Sequence, residues 1–379
     1  MSYEAPFEGL RVVDLSQGIA GPYCAMLLAQ HGADVIKVEP PGGDWSRTLG
    51  IRYGDQTAYS IAGNLGKRSI VVDLKEKRGG HIVWRLIERA DVFFESFRPG
   101  VAARLGLDYG AVSMLNPRIL YISVSGFGQT GPERERPAVD TTLQAFTGLM
   151  SVNKGGDGAP HRVGAVVVDM SAALFAFQAV SAALYARVRE PRGRYLQASL
   201  MQAGAALQTV NMIANHLEGG VMRPGLTPSG TFSAKDGWLN ITVLRNEEFP
   251  ALCDAIERPD LAADPRFADN DARFRHVGAL TETLSETFRQ RAVAEWSERL
   301  RAAGIMHERV NTHLDYLHHP HVAASGTVTW VDQPGVGRVP VPWPPGLTPA
   351  AGGARRAMAP SLDEHGKEIL AELGLADQP

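Results

Sequence analysis

The feature that most constrains the fold is a regular alternation of short apolar, β-rich runs with helical stretches through the first third of the chain. The runs lie at residues 10–16, 33–39, 68–74, 91–97 and 118–128. Runs of this kind, separated by helices, are typical of a parallel sheet covered by helices on both faces. Such a sheet binds ligands at the carboxyl ends of its strands, where loops 17–22, 40–48 and 125–137 would lie. The sequence therefore predicts an α/β fold.

Two Gly/Pro-rich segments, at residues 219–230 and 339–349, interrupt the chain of 379 residues. After the first comes a hairpin pattern and then amphipathic helical stretches, a combination typical of a small α+β domain. We expect one large domain made from both chain ends, residues 1–218 and 326–379. The connector and the smaller domain would occupy residues 219–325.

Composition excludes several classes of partner. The net charge of −3 leaves no chain-wide positive field for nucleic acid. The most apolar stretch, residues 172–186, contains polar residues and is expected to be too short to span a bilayer. Residues 1–13 lack the pattern of a signal peptide, and Cys24 and Cys253 are too few for a disulfide framework. We expect a cytoplasmic enzyme with no membrane or nucleic-acid partner.

Asp169 stands between two apolar runs in HRVGAVVVDMSAALFAF. A buried carboxylate is costly unless it is paired, so this position needs a reason. One explanation is an N-cap, in which the carboxylate accepts the amide of Ser171 or Ala172. The other is a nucleophile, supported by the free N–H groups and the dipole of a helix N-terminus. The residues themselves leave both explanations open.

Other motifs indicate which ligands and reactions the sequence favours and which it does not. Basic residues follow several predicted strands and as a set are suited to a phosphorylated ligand: Lys67, Arg68, Lys75, Arg98, Arg104, Arg134 and Arg136. The histidine cluster has no metal-ligand spacing, so we predict no metal site there: His307, His313, His318, His319 and His321. The first turn, SQGIAGP, lacks the G-x-G-x-x-G spacing of dinucleotide sites, and no G-x-S-x-G motif of a serine hydrolase occurs.

Several stretches together resemble the class III CoA-transferases, the family of formyl-CoA:oxalate and carnitine CoA-transferases. They include GLRVVDLSQGIAGPYC, GADVIKVEPPGGDWSR, GKRSIVVDLK, FESFRPGVAARLGLDY, SGFGQTGP, Asp169, DGWLNITV and APSLDEHGKEILAELGL, in this order. The resemblance implies a Rossmann-like large domain made from both chain ends, a smaller domain from the middle, and two subunits interlocked as a homodimer.

The resemblance also implies a role for Asp169. The aspartate at this place in the family attacks an acyl-CoA thioester, giving an aspartyl-acyl anhydride and then an aspartyl-CoA thioester, from which an acceptor acid takes CoA. Acyl-CoA and a small carboxylic acid would be substrates, and no tightly bound cofactor is expected. The implied CoA contacts are Ile19, Ala20, Val72, Asp73, Leu74, Lys75, Ser96, Phe97, Arg98, Arg104, Pro137 and Asp140.

The sequence departs from the formyl-CoA branch of that family. Ile19, Ser96 and Val139 replace a glutamine, an asparagine and a tyrosine, and residues 225–230 replace an oligoglycine loop. These departures favour succinyl-CoA with small di- or hydroxycarboxylic acids over formyl-CoA with oxalate. Two alternatives are an α-methylacyl-CoA racemase, which needs a histidine that the region around Asp140 lacks, and a noncatalytic CoA-binding protein, which would not need Asp169.

Overall fold

The computed structural model describes residues 4–220, 226–349 and 354–376. The chain divides into two compact units: unit 1 comprises Met1–Thr209 and Gly326–Pro379, and unit 2 comprises Val210–Ser325. The sequence placed the first boundary at residues 218/219 and the second at 325/326. Gly225, the first residue of the segment compared above with an oligoglycine loop, lies outside the described residues.

Unit 1 is built on a six-stranded sheet whose neighbouring strands are all parallel. The strands are β1 (Arg11–Asp14), β2 (Asp34–Glu39), β3 (Arg68–Val71), β4 (Val92–Glu95), β5 (Leu120–Ser125) and β6 (Arg194–Ser199). Their spatial order, β3-β2-β1-β4-β5-β6, is that of the Rossmann fold. The predicted α/β fold with a Rossmann-like parallel sheet is confirmed.

Helices cover both faces of this sheet, since successive side chains of each strand point to opposite faces. Val12 and Phe94 lie in one apolar core, whereas Val13 and Phe93 lie in the other. The helices of unit 1 before the boundary are α1 (Ala20–Gln30), α2 (Ala58–Asn64), α3 (Lys77–Glu88), α4 (Val101–Arg104), α5 (Tyr109–Leu115), α6 (Asp140–Phe146), α7 (Leu149–Val152), α8 (Val167–Arg189) and α9 (Leu200–Leu207). The next helix, α10 (Thr209–Leu217), belongs to unit 2 from its second residue onward.

Unit 2 combines an antiparallel three-stranded sheet with short helices, consistent with its hairpin and helical patterns. The strands are β7 (Ser229–Ala234), β8 (Gly237–Thr242) and β9 (Met306–Arg309). The helices are α11 (Glu248–Ala255), α12 (Pro259–Ala263), α13 (Asn270–Arg275), α14 (Val277–Phe288), α15 (Val293–Ala302), α16 (His313–Leu317) and α17 (Pro320–Ser325). The chain returns to unit 1 through the hairpin β10 (Val328–Gln333) and β11 (Gly337–Pro342), and α18 (Gly366–Glu372) follows.

Helix α8 is longer than the sequence indicated. It spans 23 residues and extends beyond the apolar stretch 172–186 at both ends, so the whole helix would be long and apolar enough to cross a membrane. One side packs in the core through residues such as Ala172 and Val180. The other side exposes apolar side chains, including Tyr185 at 65% and Val188 at 81%. One such helix is weak evidence for a membrane span, because core helices have the same composition.

Buried ion pairs connect the strand ends of unit 1 to the loops that follow them. Lys67 Nζ lies 2.7 Å from Asp14 at the end of β1, and Lys37 Nζ lies 2.9 Å from Asp44. All four side chains are fully buried. Lys67 also donates to the carbonyl of Pro22 in α1. Burial lowers the pKa of Lys67 to about 8 although Asp14 opposes that shift. These pairs fix the loops after β1 and β2.

Replacing Lys67 with methionine is expected to destabilise the protein by about 3–5 kcal/mol, because Asp14 would remain buried without its cation. Adding Asp14→Asn should recover part of that loss, and urea unfolding measures both. Arg85→Met is the matched control, since Arg85 pairs with Glu88 on a partly exposed face of α3. That change should cost less than about 1 kcal/mol. Equal losses at positions 67 and 85 would contradict the prediction.

Candidate active site

A cavity of about 800 Å³ opens in unit 1 at the carboxyl end of the parallel sheet. Its walls come from the loops after β1, β2, β4 and β5, with Leu200 following β6. It therefore surrounds the β1–β4 pair, where the strand order changes direction. Open α/β sheets bind ligands in this crevice. Asp169 is part of the lining.

Asp169 is the third residue of α8, which begins at Val167. The residue before the helix, Val166, has no side-chain oxygen, and no side-chain cap bond is present there. The N-cap interpretation of Asp169 is therefore wrong, because its carboxylate lies inside the first turn and accepts no amide of its own helix. Both explanations of Asp169 assumed a helix N-terminus at this residue, and the helix begins two residues earlier, at Val167.

Asp140 supplies the missing cap from another helix. Its side chain is buried, and Oδ2 accepts the N–H of Val168 at 2.7 Å and that of Asp169 at 3.1 Å. Asp140 is itself the first residue of α6. The expectation that the α8 amides are free to stabilise an attacked carbonyl is thus wrong for these two groups, because the Asp140 carboxylate occupies them.

Gln144, one turn further along α6, fixes Asp140 in this position. Its Nε2 donates to Asp140 Oδ1 at 2.6 Å, and its Oε1 accepts the N–H of Val163 at 2.9 Å. The Gln144 side chain is fully buried. It therefore connects the cap of α8 to the loop that enters this helix, and the first turn of α8 is held from two directions.

The Asp169 carboxylate itself has no hydrogen-bond or ion-pair partner within the described residues, and it is half-buried. Burial, together with the nearby negative charge of Asp140, raises the pKa of Asp169 to about 7. A carboxylate in this environment is more basic than usual, and it exchanges its proton near neutral pH. Both properties are those of a reactive group.

The wall formed by residues 17–21 is fixed by side chains from neighbouring strand ends. Ser96 Oγ accepts the N–H of Gln17 at 2.8 Å, and Asp44 Oδ1 accepts that of Gly18 at 3.0 Å. Gly18 has a φ of +87°, and a Cβ at this position would lie only 2.2 Å from the ring of Trp45. Glycine is required here because it lets the indole of Trp45 pack against the loop and line the cavity.

The cavity brings together part of the predicted site. Eight of the predicted residues line it: Ile19, Ala20, Ser96, Phe97, Arg98, Pro137, Asp140 and Asp169. Val72 is buried, and residues 73–75 follow it in the loop after β3, away from the lining. Arg104 ends α4 and is likewise not part of the lining. These five remain predicted contacts for a ligand that extends beyond the cavity.

Sequence reasoning missed the aromatic and apolar side of the cavity. Trp45, Leu49 and Tyr59 line it, although none was a candidate. The signal was present in GGDWSR, where an aromatic residue directly follows a glycine-rich loop at a strand end. The sequence also gave no sign that the Asp140 carboxylate accepts the amides of α8.

The basic set divides into paired and unpaired members. Lys67 is buried against Asp14, and Arg68 pairs with Asp34, Glu368 and Glu372, so their assignment to a phosphorylated ligand is wrong. Arg98 and Arg104 have no ion pair in the described parts of the chain, and Arg98, Arg134 and Arg136 line the cavity. These arginines can meet an anionic ligand.

No group of three or more His, Cys, Asp or Glu side chains that could hold a metal lies within residues 4–220, 226–349 and 354–376. The histidines singled out by the sequence all belong to unit 2. Nδ1 of His307 contacts the carbonyl of Ile305, and Nδ1 of His318 contacts that of Leu314.

The chain belongs to the class III CoA-transferases, since residues 7–366 match the family described as CoA-transferase family III. It is 38% identical over 310 residues to the acetyl-CoA:oxalate CoA-transferase of Acetobacter aceti, covering 80% of each chain. It is 33% identical over 377 residues to the succinyl-CoA:glutarate CoA-transferase of Mus musculus, covering 97% of this chain and 86% of that one.

Solved structures agree with this assignment. The crystal structure of a CaiB/BaiF family protein from Brucella suis superposes with a TM-score of 0.86 at 34% identity, covering 98% of this chain and 100% of that one. The protein is therefore a CoA-transferase that uses acyl-CoA as substrate. The racemase alternative has no support in the site, because Val139 stands where its histidine would be and the Asp140 carboxylate is occupied by amides.

Asp140→Asn tests the electrostatic coupling of the two carboxylates. The variant keeps an acceptor for the α8 amides but removes the negative charge that raises the pKa of Asp169. In the unchanged protein, kcat/KM for transfer should fall as pH drops through about 7, because Asp169 takes up a proton. The variant's acidic limb should lie at lower pH. An unshifted limb in a folded variant would contradict the coupling.

Proposed function

We propose that this enzyme transfers CoA from an acyl-CoA, with succinyl-CoA as the preferred donor, to a small carboxylic acid through covalent intermediates on Asp169. The observation that carries the proposal is the unpaired, half-buried Asp169 carboxylate at the strand-end cavity. A structural aspartate this deep is normally hydrogen-bonded or ion-paired. The relatives named for succinyl-CoA and glutarate support the donor and acceptor class.

In the first step, an Asp169 carboxylate oxygen attacks the thioester carbonyl of the donor. The carbon–sulfur bond breaks, CoA leaves as the thiolate, and a mixed aspartyl-acyl anhydride remains. Ala20 and Gly21, the first two residues of α1, line the cavity, and a helix leaves its first N–H groups without an intrahelical acceptor. They are suited to stabilise the oxyanion formed on the attacked carbonyl.

In the second step, the thiolate attacks the aspartyl carbonyl, the acyl group leaves as a free carboxylate, and Asp169 holds CoA as a thioester. The raised pKa of Asp169, about 7, favours this direction. An ordinary organic carboxylate, with a pKa of about 4, is the better leaving group of the anhydride. Attack at the other carbonyl would expel Asp169 and regenerate the donor.

The remaining two steps are the first two in reverse order, with the acceptor acid in place of the donor's acyl group. The acceptor's carboxylate attacks the aspartyl-CoA thioester, releasing thiolate and forming a second anhydride, and the thiolate attacks the acceptor's acyl carbonyl. The new acyl-CoA leaves and Asp169 is regenerated, without water or a redox partner. Apolar side chains such as Ile19, Val124 and Leu200 line the cavity and limit hydrolysis of the anhydride.

The predicted CoA contacts follow from this placement of the thioester. Ser96, Phe97 and Arg98 form the wall next to residues 17–21, and Arg104 lies beyond them on α4. We propose that the pantetheine arm enters the cavity and that the phosphates meet Arg98 and Arg104. Residues 72–75 would contact the outer part of CoA.

Incubation with succinyl-CoA, without acceptor, should add the mass of CoA to the peptide that contains Asp169. Mass spectrometry after rapid acid quenching measures the adduct, and succinate should be released in equal amount. Asp169→Asn should form no adduct and transfer no CoA. Full transfer by this variant would overturn the assignment of the nucleophile.

Thermal unfolding of Asp169→Asn provides the folding control. An ionised Asp169 lowers stability because its pKa is raised in the folded protein, so the cost is present above about pH 7 and disappears as pH falls below the unfolded value. The variant should therefore unfold at a higher temperature than the unchanged protein at pH 8. At pH 4 the two should be nearly equal.

We also propose that two copies form a homodimer in the cytoplasm. Leu174, Phe175, Tyr185 and Val188 are exposed on α8, which is unusual for apolar side chains on a core helix. A second copy would remove these side chains from water. Both cysteines are buried and unpaired, which is consistent with a reducing compartment.

Val188→Asp should weaken this dimer, since burial of the new carboxylate would be unfavourable. Analytical ultracentrifugation at micromolar concentration should show a dimer for the unchanged protein and a larger monomer fraction for the variant. Met114→Asp is the matched control: Met114 is 86% exposed on α5, away from α8 in sequence. A monomeric unchanged protein would contradict the proposal.

A further inference from the structure

Two arginines enter the cavity from the segment PERERP, which lies between β5 and α6. Arg134 and Arg136 both line the cavity that contains Asp169. The proposed transfer reaction uses neither arginine. Asp169 is already an anion when it attacks, and the phosphates of CoA are assigned to Arg98 and Arg104. The presence of Arg134 and Arg136 therefore points to a further anion close to the reacting groups.

Arg136 is held in place by two aromatic rings. Its guanidinium carbon lies 5.4 Å from the ring centre of Phe127, which follows β5, and 6.0 Å from that of Phe146, which ends α6. The two rings contact each other edge to face at 5.0 Å. At these distances the positive charge of Arg136 is attracted to the aromatic rings, while its N–H donors stay available in the guanidinium plane, where a carboxylate can bind with both oxygens.

The ion pairs that Arg134 and Arg136 make within their own segment are weak, so the arginines can still bind an anionic ligand. Arg136 meets Glu133 at 3.4 Å, with both side chains about half exposed, and such a pair contributes little. Arg134 contacts its neighbour Glu135 at 3.3 Å in a similar setting, but no aromatic contact fixes it. Arg136 is consequently the more pre-organised of the two.

The chain limits how far Arg136 can lie from the nucleophile. Asp140 follows it by four residues, which span at most about 14 Å. The Asp140 carboxylate in turn accepts the N–H of Asp169 at 3.1 Å. An arginine side chain together with a four- or five-carbon diacid can bridge a separation of this order when one carboxyl group reacts at Asp169.

We propose that Arg136 binds the distal carboxylate of the acyl group and thereby makes the enzyme selective for dicarboxylic acids and their CoA thioesters. This inference rests on the proposed transfer through Asp169, in which donor acyl group and acceptor acid occupy the same place in turn. Arg136 therefore acts on both halves of the reaction.

Matched substrate pairs test the proposal, because succinyl-CoA and butyryl-CoA, like succinate and butyrate, differ only by a terminal carboxylate in place of a methyl group. The unchanged protein should show a higher kcat/KM for each diacid member. Arg136→Met should reduce that preference by about tenfold to a hundredfold, the range of a lost charge-assisted contact. Arg136→Lys should restore part of it, since the charge returns without the planar donors.

The control is Arg85→Met, on α3 outside the cavity, which should keep the full preference. An equal loss for succinyl-CoA and butyryl-CoA in Arg136→Met would overturn the proposal and indicate contact with a phosphate of CoA. Equal use of diacids and monoacids by the unchanged protein would also overturn it, although transfer through Asp169 would stand. Absence of any CoA adduct on Asp169 would instead refute the proposed function.

Discussion

The arrangement of this site depends on one interaction: the Asp140 carboxylate accepts hydrogen bonds from the N–H groups of Val168 and Asp169 in the first turn of α8. A helix that begins at a valine has no cap of its own, and Asp140 provides one from 29 residues earlier in the chain. The same contact brings a negative charge close to Asp169. Structural and electrostatic effects are therefore inseparable here: the group that orders the helix also keeps the neighbouring carboxylate basic.

Buried ion pairs support the walls of the cavity. At the ends of β1 and β2, carboxylates meet lysines in closed pairs, and these pairs hold the turn backbones of the loops that follow. Every charge in that region has a counter-charge, whereas Asp169 has none among the described residues. The carboxylates of these ion pairs are satisfied, whereas the carboxylate proposed as the nucleophile is not, and this contrast distinguishes the framework of the site from the proposed reactive group.

Periodicity predicted the sheet because strands covered on both faces read as continuous apolar runs, and each predicted run contains one strand of unit 1 or overlaps it. Asp169 was singled out from the sequence by its isolation among apolar residues, and its assignment as a nucleophile came from the family resemblance. Its environment could not be predicted from the sequence, since the cap of α8 comes from α6 and leaves no local signal. Lys67 and Arg68 were assigned to a phosphorylated ligand for the same reason: their partners Asp14 and Asp34 lie 53 and 34 residues away. Pairing across a sheet is not visible along the chain.

The walls of the cavity belong to separate loops, each anchored on a different strand of one rigid sheet. Insertions and substitutions in one loop can accumulate during evolution without disturbing the others or the two helices that hold the carboxylates. Gene duplicates of such a protein can diverge in the acids they accept while they inherit the same reaction. A fold of this design accounts for relatives that are named for CoA transfer to different acids, such as oxalate, glutarate and D-citramalate.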